Sequence, residues 1–149
     1  MSARAAAAIV FAAGVMATPA HAQSDRWEHH VRRQLERAAT SLSANGAAGR
    51  VALRVGMLNT DESESFLLPL RAGTSYVVVG ACDEDCSRLG LVISDLASHE
   101  LAADRASGNA AIVRITVRET ASYRVRTTME SCGMNPCRYG VLVVTPPSP

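Results

Sequence analysis

The sequence predicts a mainly β protein: an antiparallel β-sandwich of seven to eight strands preceded by one amphipathic N-terminal helix. Three observations carry that expectation. Apolar residues recur at every second position in most segments after Arg50, as half-buried strands require. Turn-forming residues separate those segments at near-regular spacing, and no strand–helix alternation follows Gly46. The cysteines fall into two close pairs, Cys82 with Cys86 and Cys132 with Cys137, each placed to tie off a loop between strands.

Met1-Ser2-Ala3-Arg4 is a short, positively charged start, and an apolar run from Ala5 to Ala17 follows, interrupted only by Gly14. Pro19 precedes Ala20-His21-Ala22, with small residues at −3 and −1 of a cleavage point before Gln23. An apolar run of ~13 residues is shorter than the roughly 20 that a membrane span needs. Residues 1–22 are therefore expected to be a cleaved bacterial Sec-type signal peptide. The exported chain, from Gln23 onward, is expected in the periplasm or secreted, with no transmembrane segment. One of the 15 basic residues, Arg4, leaves with the leader, so the exported chain balances its 14 acidic residues and carries no net charge with His neutral. Nucleic-acid binding calls for a basic excess, and none is present.

Residues 23–46 are expected to form the helix, with Ser24 or Asp25 as its cap. Trp27, Val31, Leu35, Ala38 and Leu42 make one apolar stripe, and Glu28 and Arg32 lie four apart on the outside. Asn45-Gly46 suits the left-handed position after the last turn. A stripe this narrow must be buried, either on its own domain or as a docking surface for a partner protein.

Residues 50–145 are expected to form the sandwich. Val51, Leu53, Val55 and Met57 alternate with Arg50, Ala52, Arg54 and Gly56 and are expected to supply the buried side of a first strand. Asn59-Thr60-Asp61 turns the chain into a strand from Ser63 to Leu70, ended by Pro69 and Ala72-Gly73. Tyr76 to Ala81 is apolar on both faces, as in a central strand covered on both sides. Leu89, Leu91 and Ile93 point one way, and a short strand is expected around Glu100–Ala103 before the turn at Ser107-Gly108-Asn109. Val113, Ile115 and Val117 alternate with Arg114, Thr116 and Arg118, and Tyr123, Val125, Thr127 and Met129 with Arg124, Arg126 and Thr128. Tyr139, Val141 and Val143 close the set, and residues 146–149 are expected to form an unstructured tail.

Four cysteines in a small exported domain are most simply two disulfides, for which three pairings exist. Cys82–Cys86 with Cys132–Cys137 is favoured because each pair brackets a turn. Neither spacing is C-x-x-C, which argues for cross-links over redox chemistry.

Ser65-Phe66-Leu67-Leu68-Pro69-Leu70-Arg71-Ala72-Gly73 followed by Tyr76-Val77-Val78-Val79 resembles the opening of bacterial pre-peptidase C-terminal domains. Leu89–Asp95, Ala121-Ser122-Tyr123-Arg124-Val125 and Tyr139–Val144 continue the likeness from Val51 to Val144, by pattern more than by residue. The resemblance implies a jelly-roll-like sandwich acting as a helper or binding module without catalysis. Where that family often carries Asp-Leu-Asp-Leu, this chain has Arg88-Leu89-Gly90-Leu91 and lacks the aspartates of an ion site. An N-terminal helix stands in place of the catalytic domain that usually accompanies the module.

Asp83-Glu84-Asp85 is the most concentrated charge in the chain. With Asp95 or Asp104 adding a further carboxylate it is the candidate calcium site, that ion taking six to eight oxygens; a solvated acidic turn is the alternative. No other cofactor is expected. His99-Glu100-Leu101-Ala102-Ala103 begins like a zinc-protease helix but has Ala103 where the second His must stand. His29 and His30 are adjacent and cannot share a metal as an i, i+4 pair does. With no G-x-S-x-G and no phosphate-cradling glycine loop, no catalytic residue is named and an enzyme is not expected. Arg114, Arg118, Arg124 and Arg126 occupy outward positions of two strands expected to pair through the Glu119–Ser122 turn. They make a basic stripe that is either a solvated face or a patch for acidic polysaccharide, lipid headgroups or an acidic partner. The expected function is an exported non-catalytic module binding a protein or a cell-envelope component. The alternative is a carbohydrate- or calcium-binding module acting on cell-surface polymers, poorly supplied with aromatic stacking surface.

Overall fold

The computed structural model describes residues 20–42, 49–105 and 108–146, and side chains within the helix from Arg26 to Ser41. The apolar run of the leader, the Asn45-Gly46 stop and residues 147–149 lie outside the described residues. One helix, α1 (Ala20–Leu42), precedes eight strands: β1 (Gly49–Leu58), β2 (Glu62–Leu70), β3 (Ser75–Cys82), β4 (Cys86–Ser94), β5 (Glu100–Asp104), β6 (Ala110–Thr116), β7 (Ala121–Cys132) and β8 (Cys137–Thr145). They form two four-stranded antiparallel sheets, the first ordered β1-β8-β3-β6 and the second β2-β7-β4-β5. No described helix is long and apolar enough to cross a membrane.

The interior lies between the sheets. Val78, Val113, Val141 and Val143 come from the first sheet, and Leu89, Leu91, Ile93, Val125 and Met129 from the second. Most are wholly shut off from water, and each such side chain contributes about 1.5–3 kcal/mol by burial. Alternation therefore reads correctly along β4, β6, β7 and β8.

β3 is buried on both faces, as its unbroken apolar run requires. Tyr76 and Val78 enter the sandwich, while Val77, Val79 and Ala81 turn outward and meet Val31 and Leu35 of α1, together with Leu142 and Val144 of β8. The helix thus lies on its own domain. Gly140 permits the approach, since a Cβ there would stand 2.7 Å from Leu35 Cδ1 and 2.9 Å from Val31 Cγ1. A Glu36–Arg50 ion pair (3.5 Å) links the helix to β1, and the expected Glu28–Arg32 pair forms at 2.6 Å. The helix does not start at Ser24 or Asp25. It runs continuously from Ala20, because Ala20-His21-Ala22 propagates a helix readily.

β1 reverses its expected faces. Val51 and Met57 are exposed and Leu53 packs beneath the helix, whereas Ala52 and Leu58 turn to the interior. Arg54 lies over the Phe66 ring (5.5 Å). The helix makes the outer side of this sheet apolar too, so alternation does not distinguish inside from outside, and a slip of one residue exchanges the faces. The register does shift, between Arg50 and Ala52. Pro69 continues β2 instead of ending it, which an edge strand tolerates because the missing N–H leaves no ladder bond unmade.

Both favoured disulfides are formed, at the same end of the sandwich. The loops there are knitted together: the Gly133 N–H donates to the Asp85 carbonyl (2.7 Å), the Cys132 N–H to Thr60 Oγ1 (3.0 Å) and the Thr60 N–H to Asn135 Oδ1 (2.9 Å). At the opposite end the Tyr123 hydroxyl donates to the Glu119 carbonyl (2.9 Å), fixing the passage from β6 to β7.

Candidate functional site

That passage divides the arginine stripe. β6 pairs with β3 in the first sheet and β7 with β2 and β4 in the second, so Arg114 and Arg124 do not share a sheet face. Arg118 is exposed in the intervening turn. A short turn looks alike in sequence whether it closes a hairpin or carries the chain across a sandwich, which is why the expected pairing fails. Arg114 borders a separate hollow of ≈ 310 Å³ beside Ser75 and Thr116.

Arg124 and Arg126 remain together. Tyr123, Val125 and Thr127 of β7 point inward, so the pleat sends both arginines to the outer face of the second sheet. Register sets Arg126 between Ser65 of β2 and Val92 of β4, and Arg124 between Leu67 and Ser94. The Arg124 guanidinium donates to Ser98 Oγ (3.2 Å). Together with Ser94 and Glu100 these residues surround a hollow of ≈ 120 Å³ floored by Val92. Glu100 is held by a two-pronged pair with Arg105, which keeps its carboxyl below the usual range. Among the described residues neither Arg124 nor Arg126 has a carboxylate within 4 Å. Two guanidiniums and two serine hydroxyls therefore meet on one sheet face with donors to spare. The two arginines were legible from alternation; Ser94 and Ser98 were not, because they come from a different strand and the turn that follows it.

The proposed calcium ligands do not converge. Asp83 and Asp95 flank opposite ends of β4, about 27 Å apart at the usual rise per residue. Asp95 instead accepts the His99 N–H and faces His99 Nδ1, both at 2.8 Å, bonds that hold its carboxyl below the usual range. No serine or cysteine among the described residues hydrogen-bonds to that imidazole. Asp83 is buried, with Oδ2 accepting the Arg138 N–H (2.7 Å), and burial pushes its carboxyl up. Glu84 is exposed and Asp85 half-buried. Among the described residues no group of three or more His, Cys, Asp or Glu is placed to hold a metal ion. His29 is exposed and His30 half-buried on α1.

No protein-family model matches this chain, and no curated protein matches it in sequence.

Proposed function

We propose that the chain is an exported, non-catalytic binding module whose ligand is an acidic polymer of the cell envelope, held on the outer face of the second sheet. One observation carries this reading: the helix covers the outer face of the first sheet, while among the described residues the opposite face carries no helix and presents Arg124 and Arg126 with no carboxylate within 4 Å, the nearby Glu100 being engaged by Arg105. Guanidiniums match carboxylate and sulfate oxygens in paired geometry, and hydroxyls beside them add donors. Two disulfides suit an oxidising compartment and thus support export. The strand order β1-β8-β3-β6 facing β2-β7-β4-β5 is what two Greek keys folded together produce, and it supports reading the sandwich as a jelly roll. The likeness to pre-peptidase C-terminal domains points the same way.

Titration calorimetry with polygalacturonate tests the reading. Saturable binding that weakens as salt rises is expected, with loss of about tenfold or more in Arg124→Gln/Arg126→Gln. Binding unaffected by that double substitution would overturn it.

A further inference from the structure

A larger cavity of ≈ 670 Å³ opens at the end of the sandwich away from the disulfides, between the starts of β1 and β7 and the β2–β3 turn. Its volume falls within the ordinary range for small-molecule sites. Val51, Pro69, Leu70 and Ala121 give it an apolar wall. Arg71 is its only charged lining residue among the described residues, and no carboxylate lies within 4 Å of that guanidinium among them.

The hydroxyls around Arg71 are set to donate. Tyr76 Oη accepts the Arg71 N–H (3.0 Å) and Thr120 Oγ1 accepts the Ala72 N–H (3.0 Å), so each has an acceptor site filled and its own proton still to give. Thr74 and Ser122 add two further hydroxyls. An apolar wall beside one unpaired cation and a set of donors selects a molecule with an apolar body and a single oxyanion head.

We propose that this cavity binds a small amphipathic carboxylate, its head on Arg71 and its chain along Val51, Pro69 and Ala121. The site is separate from the Arg124–Arg126 face and stands or falls independently of it.

Calorimetric titration of the full chain with dodecanoate below its micelle concentration tests the proposal, with dodecylammonium as the charge-reversed control. The expected result is one saturable site for dodecanoate and none for dodecylammonium. Arg71→Gln, on an exposed turn, should weaken binding about tenfold or more, and Ala121→Trp should abolish it by filling the cavity. Arg124→Gln/Arg126→Gln should bind as the wild type does. Circular dichroism and melting confirm that each variant is folded. Absence of saturable binding, equal binding of the cation, or an unchanged constant in folded Arg71→Gln would overturn the proposal, as would loss confined to the Arg124→Gln/Arg126→Gln protein.

Discussion

Asp83 is 4% exposed, and its Oδ1 has no hydrogen-bond partner among the described residues. Burial, and to a lesser extent the Asp85 carboxylate, push its pKa up against the downward pull of the Arg138 N–H. A raised acid gives stability below its unfolded value, about 3.9, and loses it as pH rises through the folded one. At neutral pH the charged form therefore weighs against the fold. Asp83→Asn keeps an acceptor for Arg138 and removes the charge, so it should be more stable than wild type at pH 7 by about 1 kcal/mol. That advantage should vanish toward pH 4, as urea denaturation at both values will measure. Tyr139 is the alkaline counterpart. Its hydroxyl donates to Glu64 Oε2 (2.7 Å) across the two sheets, and burial followed by that bond holds its pKa well above the ordinary value. The stability it adds is complete below about pH 10 and lost above it. Tyr139→Phe should cost about 1–2 kcal/mol at pH 7 and flatten the alkaline limb of the stability profile.

At the scale of elements, the helix and the disulfide loops make different demands. Gly140→Ala puts a methyl where the Val31 and Leu35 side chains sit, so those side chains or the helix that carries them must give way, and about 1–3 kcal/mol should be lost in thermal melting. Removing the first cross-link with Cys82→Ser/Cys86→Ser should cost about 2 kcal/mol, the value for so short a ring in the loop-entropy account. Helix, strand positions and cysteine pairing were legible in the sequence because each leaves a local signal: a period of 3.6, a period of two, or a bracketed turn. The faces of β1 were not. Its apolar alternation is real, but the helix makes the outer side apolar as well, with Gly140 on β8, far off in sequence, leaving room for it, and the register shifts between Arg50 and Ala52. The Arg114–Arg126 stripe failed for a related reason. Alternation places a side chain in or out of its own sheet and does not say which sheet that is.

For the whole molecule, the helix divides the two outer faces into one covered and one open. The covered face accounts for the second apolar surface of β3 and β8, which no sandwich interior alone explains. The open face gathers Arg124 and Arg126 beside serines from β4 and its following turn, and the proposed function rests on that asymmetry. Mapping backbone amide shifts by nuclear magnetic resonance while polygalacturonate is added tests it most directly. Changes should concentrate at Ser65, Val92, Ser94, Ser98, Arg124 and Arg126, with β3, β8 and α1 unmoved. Changes centred on the helix, or spread evenly over both faces, would contradict the account.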